Sequence, residues 1–105
     1  MEWLDPWWST EGMDPHFHET FQRQLELEVP PGHPLFGVKV ELIGRGSGDD
    51  ALFKLLDGTG RVAVVHLTWS KGQERLPWPR TTIYQDMQEF IEKCMRPDHQ
   101  DRPGN

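Results

Sequence analysis

The sequence predicts an α+β fold in which two helices pack on one face of an antiparallel meander of three to four strands. Two segments carry apolar residues at helical spacing, and short β-prone runs lie between them. Turn-rich connections of hairpin length join these runs, which favours antiparallel neighbours. The predicted order is helix, three strands, then either a fourth strand or the start of the last helix in residues 80–84, and finally that helix.

The first helix begins at Asp14 and Pro15, which suit the N-cap and the first helical position. Pro30 and Pro31 forbid continuation, so the helix is expected to end near Glu28. Apolar residues at a spacing of four form one stripe on it. These residues are Phe17, Phe21 and Leu25.

Residues 36–43 and 51–56 predict the first two strands, and the longest β-forming run, residues 61–69, predicts the third. In that run one face is wholly apolar, while the other is apolar at its start and polar at its end. The first face comprises Ala63, Val65, Leu67 and Trp69, and the second comprises Val62, Val64, His66 and Thr68. This pattern predicts an inner strand that is covered on one side and half covered on the other.

The last helix is expected to start at Asp86, with Glu89 completing a capping box, and to end at Pro97. Its apolar face is Met87, Phe90, Ile91 and Cys94. The prolines around Trp78 fix its backbone and indicate a ring that plugs an apolar edge.

The length of 105 residues predicts one domain, residues 1–105. It divides into a Trp-rich N-terminal segment (1–12), a core (14–96) and a polar tail (97–105). No apolar run reaches the length of a membrane span, and residues 1–12 lack the pattern of a signal peptide. A single cysteine cannot form an internal disulfide. We therefore expect a cytoplasmic protein that does not bind membranes.

The net charge of −6 argues against nucleic acid binding, which requires clustered Lys and Arg. A basic protein is the partner that fits this charge, although the acidity is also explained by solubility alone. Tryptophans in the N-terminal segment either clamp that segment onto the domain, which we favour, or form a contact in a homo-oligomer. They are Trp3, Trp7 and Trp8.

Several runs of the chain together resemble a family of small bacterial proteins with no assigned activity. They are Pro31-Gly-His-Pro-Leu-Phe36, Asp49-Asp50 before Ala51-Leu-Phe53, Val64-Val-His-Leu-Thr-Trp69, Trp78-Pro79 and Met95-Arg-Pro-Asp-His99. The resemblance covers residue 17 to about residue 100. It implies a bacterial, stand-alone, soluble protein and transfers no site residue.

His66 is the most informative candidate for chemistry, because it interrupts an apolar strand. If it is buried it requires a hydrogen-bond partner, and we favour such a structural role over a role in a site. The five histidines have no metal-ligand spacing, so no metal or other cofactor is expected. Cys94 lies on an apolar helix face, where a thiol behaves as a small hydrophobe.

These observations predict a non-catalytic protein-binding or regulatory protein, of which an immunity-type protein facing a basic partner is one version. The alternative is a small enzyme or a metal-dependent site around His66, Asp49, Asp50 and His33. No catalytic residue is assigned. The candidate binding residues are His66, Trp69, Trp78, Asp49, Asp50 and His33.

Overall fold

The computed structural model describes residues 1–101, which form an α+β domain around one five-stranded antiparallel sheet. The strands are β1 (Trp8–Ser9), β2 (Val40–Arg45), β3 (Asp50–Leu55), β4 (Val62–His66) and β5 (Arg80–Tyr84). They are neighbours in chain order, as the meander predicts. The fold class is confirmed and the strand number is not. The strand that the sequence did not predict is β1, in which Trp8 pairs with Arg45 and Ser9 with Gly44.

Helix α1 (Pro15–Glu28) covers the first face of the sheet. Asp14 caps it, because its carboxylate accepts a hydrogen bond from the Phe17 amide at 2.8 Å. The predicted start and end of this helix are both confirmed. Buried residues of the helix and of the sheet meet in one apolar cluster on this face. They include Phe21, Leu25, Val29, Ala51, Phe53, Leu55, Ala63 and Val65.

The C-terminal helix covers the opposite face, so the prediction that both helices share one face is wrong. It consists of α2 (Met87–Phe90), a π-helical segment (Ile91–Met95) and α3 (Arg96–Gln100). The apolar side chains beneath it come from β3 and β4 and alternate with those that face α1. They are Leu52, Val62 and Val64. Because β3 and β4 carry apolar residues on both faces, the sheet needs a cover on each side.

Pro97 does not end the last helix, contrary to the prediction, because it lies in the first turn of α3. In the preceding π-helical segment, the amide of Arg96 bonds the carbonyl of Ile91, five residues back. This wider turn shifts the hydrogen-bond pattern just before a residue that has no amide hydrogen. Residues 97–100 are therefore helical, while residues 102–105 of the predicted tail lie outside the described residues.

Trp7 clamps the N-terminal segment onto the sheet, as we favoured, and is 1% exposed. Its indole Nε1 donates to Asp98 Oδ2 at 2.8 Å, and its ring packs edge-on against Phe90. A Cβ at position 46 would lie 2.9 Å from this ring, so Gly46 permits the close approach. In this fold Trp7 is unavailable for a subunit contact, whereas Trp3 is half-buried and Trp8 is exposed.

A buried carboxylate joins the end of α1 to the turn that follows β4. Glu28 is 0% exposed, and its Oε1 accepts from the amide and the hydroxyl of Thr68 at 2.9 and 3.0 Å. Its Oε2 accepts from the Trp69 amide at 2.9 Å and from Gln24 Nε2 at 2.7 Å. Burying a charge is costly unless it is hydrogen-bonded, and these four donors meet that requirement.

No helix within residues 1–101 combines the length and the apolar character that crossing a bilayer requires.

Replacing Val65 with Asp is expected to abolish folding. Val65 is 0% exposed in the cluster under α1, where an unpaired carboxylate has no hydrogen-bond donor to compensate its lost hydration. Leu56→Asp introduces the same charge at a side chain that is 51% exposed, and we expect it to melt near the parent. Thermal unfolding followed by circular dichroism checks both. A cooperative Val65→Asp transition near that of the parent would refute the assignment of this face to the core.

Candidate functional site

One end of the second sheet face carries a row of charged and polar side chains. Asp50, His66 and Arg80 are register partners on three adjacent strands, β3, β4 and β5. The C-terminal helix packs on this face as far as Val64 and leaves His66 and Arg80 exposed. Strand pairing therefore brings together residues that lie up to thirty positions apart in the chain.

His66 is exposed, so the prediction that it is a buried structural histidine is wrong. Its side chain is 54% exposed, and its Nδ1 lies 2.9 Å from Asp50 Oδ1. The sequence did place Asp50 and His66 in one candidate site, and they are in direct contact. β4 ends at His66, beyond the covered part of the second face, which explains why a polar residue follows Val64 there.

His33 takes the structural role instead, since it is 5% exposed and fully hydrogen-bonded. The Leu35 amide donates to His33 Nδ1 at 3.0 Å, so the ring proton lies on Nε2. Nε2 donates to the carbonyl of Pro79 at 2.9 Å. The sequence offered one signal for this role, because His33 lies in a proline-rich connector that holds its backbone stiffly.

Trp69 and Asp49 are two other predicted site residues, and neither makes a side-chain hydrogen bond or ion pair with His66 in the described part of the chain. Trp69 packs against Phe21 under α1 at a centroid distance of 5.2 Å, and Tyr84 packs against Phe90 on the opposite face. Trp69 and Tyr84 therefore lie on opposite faces of the sheet and form no common aromatic cluster with Trp78 in the described part of the chain. Asp49 is exposed, and its carbonyl accepts from the Leu67 amide at 3.3 Å.

The thiol of Cys94 is not an activated nucleophile. Burial raises its pKa to about 12, with the nearby Asp98 carboxylate as the second cause. Its Sγ donates to Asp98 Oδ2 at 3.6 Å, so the thiol stays protonated at neutral pH. Within residues 1–101, no group of three or more His, Cys, Asp or Glu side chains is arranged to hold a metal ion.

A small concave surface surrounds the exposed row, and we call it the sheet-end pocket. It has a volume of about 430 Å³. Its lining residues are Asp50, Val64, His66, Pro77, Arg80, Thr81 and Thr82. Trp78 supports it from the side, because the Arg80 guanidinium carbon lies 5.1 Å from the centroid of the Trp78 ring.

A second and larger cavity, of about 770 Å³, lies between α1 and the edge formed by β1 and β2. We call it the acidic groove. It is lined by Trp3, Ser9, Glu11, Pro15, His18, Glu19, Gln22, Glu41, Leu42 and Ile43. Three of these side chains are carboxylates, and within the described residues no Lys or Arg lines the cavity. Sequence reasoning missed this groove, because its residues come from three separated segments.

The backbone at the acidic groove is already hydrogen-bonded at Leu42. Its amide donates to Gln22 Oε1 at 3.0 Å, and its carbonyl accepts from the Thr10 hydroxyl at 3.4 Å. Side chains of α1 and of the N-terminal segment thus occupy the edge of β2 at this point. A ligand in the groove would meet side chains in preference to free backbone groups.

Comparison of the chain with protein-family models, with curated proteins and with solved structures found no match. The resemblance to a family of small bacterial proteins therefore stays a prediction.

The two histidines are expected to differ in their effect on stability. His33→Ala removes the partner of the Leu35 amide and of the Pro79 carbonyl and leaves a cavity, which should cost about 2–4 kcal/mol. His66→Ala removes an exposed pair and should cost at most ~1 kcal/mol. Chemical denaturation of both variants measures the difference. A His66→Ala loss as large as that of His33→Ala would restore a structural role for His66.

Proposed function

We propose that the protein is a non-catalytic binding protein that receives a basic, partly apolar segment of another protein in the acidic groove. The observation that carries this proposal is the lining of the groove, which combines three carboxylates with apolar side chains. Glu11, Glu19 and Glu41 supply the negative charge. Trp3 and Ile43 supply apolar surface on which the aliphatic stems of Lys and Arg can pack.

Two of the three carboxylates of the groove are free of ion pairs within the described residues and are available to a partner. The described residues form four side-chain ion pairs, and none of these pairs includes Glu11 or Glu41. Glu19 pairs with Arg23 on the exposed surface of α1. With a net charge of −6, the whole chain also attracts a cationic partner over a longer range.

Recognition in the groove depends on side chains, because Gln22 and Thr10 already bond the backbone of Leu42. Addition of a partner strand to the sheet is therefore less favoured than insertion of Lys or Arg side chains between the carboxylates. An immunity-type protein that blocks a basic partner in the bacterial cytoplasm is one version of this proposal.

The contact between Asp50 and His66 favours a second candidate, an enzyme in which His66 acts as a general base. A carboxylate that holds Nδ1 orients the imidazole and leaves Nε2 free for proton transfer. We rank this candidate lower for two reasons. The His33 ring is engaged in structural hydrogen bonds, and the Cys94 thiol is held protonated by burial.

Selection of random peptides displayed on phage tests the main proposal and requires no identified partner. Peptides that bind the parent are expected to be rich in Lys and Arg beside an apolar residue. The double variant Glu11→Gln and Glu41→Gln should weaken their Kd at least tenfold, which corresponds to about 1.4 kcal/mol. Added salt should weaken binding to the parent, because exposed charges are screened.

The matched control is Glu74→Gln with Glu92→Gln, which removes the same charge away from the groove. This control should bind the selected peptides as tightly as the parent does. Peptides without a positive bias, or equal loss of affinity in both double variants, would contradict recognition through the groove.

A further inference from the structure

We propose that the sheet-end pocket binds a small oxyanion, either a carboxylate or a phosphate group, between Arg80 and His66. The inference is independent of the acidic groove, which lies at the other edge of the sheet and is lined by different residues. It follows from four observations: an arginine without an ion pair, a histidine oriented by a carboxylate, a hydroxyl in the same cavity, and a rigid wall.

Arg80 is a guanidinium whose charge no described carboxylate neutralises. None of the four ion pairs within residues 1–101 includes it, and of the other arginines in that range only Arg23 and Arg61 are in such a pair. Its guanidinium lies instead over the ring of Trp78, with 5.1 Å between the guanidinium carbon and the ring centroid. Stacking on a ring restricts the side chain and leaves its N–H donors free for an acceptor in the plane of the guanidinium.

His66 presents a second donor beside Arg80, because the two residues are register partners on β4 and β5. Asp50 Oδ1 lies 2.9 Å from His66 Nδ1 and so occupies that nitrogen. Nε2 is the ring nitrogen left for a ligand, and it donates when the imidazole is protonated. Asp50 is thus engaged by His66, which leaves the Arg80 charge for an added anion.

The rigid wall of the pocket is the backbone that carries Trp78 and Arg80, and the buried His33 holds it in place. His33 Nε2 and the Thr81 hydroxyl both donate to the carbonyl of Pro79, each at 2.9 Å. Pro79 lies between Trp78 and Arg80 in the chain and is itself buried. A binding surface that is held in place before the ligand arrives loses less conformational entropy on binding.

The size and the polar groups of the pocket define the class of ligand. Its volume of about 430 Å³ suits a small molecule and not a folded partner. Arg80 and the exposed hydroxyl of Thr82 offer donors from β5, and the protonated imidazole of His66 adds one from β4, which matches the several acceptor oxygens of a carboxylate or a phosphate.

Titration with sodium acetate and, separately, with inorganic phosphate at constant ionic strength tests the inference by nuclear magnetic resonance. At least one anion should shift the side-chain signals of His66 and Arg80 saturably. The anion that does so identifies the group. Sodium chloride added at the same ionic strength should produce no saturable shift.

Arg80→Gln should lose the saturable response or weaken it at least tenfold, and His66→Gln should also weaken it. Arg75→Gln, an exposed arginine outside the pocket lining, is the matched control and should respond as the parent does. The thermal midpoints of the three variants confirm that each is folded. Absence of saturation with both anions, or an unchanged response in Arg80→Gln, would overturn the inference.

Discussion

The structure depends on the buried carboxylate of Glu28, which bonds the turn after β4 to the last residue of α1. A charge at 0% exposure would destabilise the fold if it were unpaired, and continuum reasoning gives a penalty of several kcal/mol per ion. Four hydrogen bonds from Gln24, Thr68 and Trp69 replace the lost hydration. Such bonds to an ionised acceptor are stronger than neutral ones, so the contact fixes the position of the turn.

The conformation of Trp69 follows from this contact. Trp69 has φ of 56°, which is unusual for a bulky residue, and its amide points at Glu28 Oε2. The two successive amides of Thr68 and Trp69 enclose the carboxylate from one side, as in backbone anion sites. The same turn brings the Trp69 ring into contact with Phe21, which belongs to the apolar cluster between α1 and the sheet.

Two further hydrogen bonds, close to the Glu28 carboxylate, hold the loop between β4 and β5 to α1. The carbonyl of Glu28 accepts from the Glu74 amide at 2.9 Å, and Gln24 Nε2 also donates to the Ser70 carbonyl at 2.9 Å. Further along the loop, His33 bonds the carbonyl of Pro79. The side chains of Pro77, Trp78 and Arg80 at the sheet-end pocket are thus supported from two points outside the pocket.

Local signals in the sequence predicted the local structure well. Asp14, Pro15 and the paired prolines after Val29 gave the correct bounds of α1, because capping and proline act within a few residues. The first strand was expected at residues 36–43 but β2 begins at Val40, since residues 33–38 form turns closed by the Phe36 and Val38 amides. Strand periodicity also revealed the inner strand β4.

Packing between segments that are distant in the sequence could not be predicted in the same way. The sequence pattern indicated that the second face of β4 is partly apolar, but it did not predict that the last helix would cover this face. A polar residue in a strand suggested a buried histidine, but burial depends on where the covering helix ends, which leaves His66 exposed. Glu28 looked like an ordinary helix-end residue, because three of its four donors lie 40 or 41 positions away.

The most direct test of this account is the stability of Glu28→Ala compared with Glu26→Ala, measured by chemical denaturation. Glu28→Ala removes four hydrogen bonds at once and leaves the amides of Thr68 and Trp69 without their acceptor, which should cost ~3 kcal/mol or more. Glu26 is exposed on the same helix, and its replacement should change stability by ~0.5 kcal/mol or less. Equal stability of the two variants would contradict the central role of the Glu28 carboxylate.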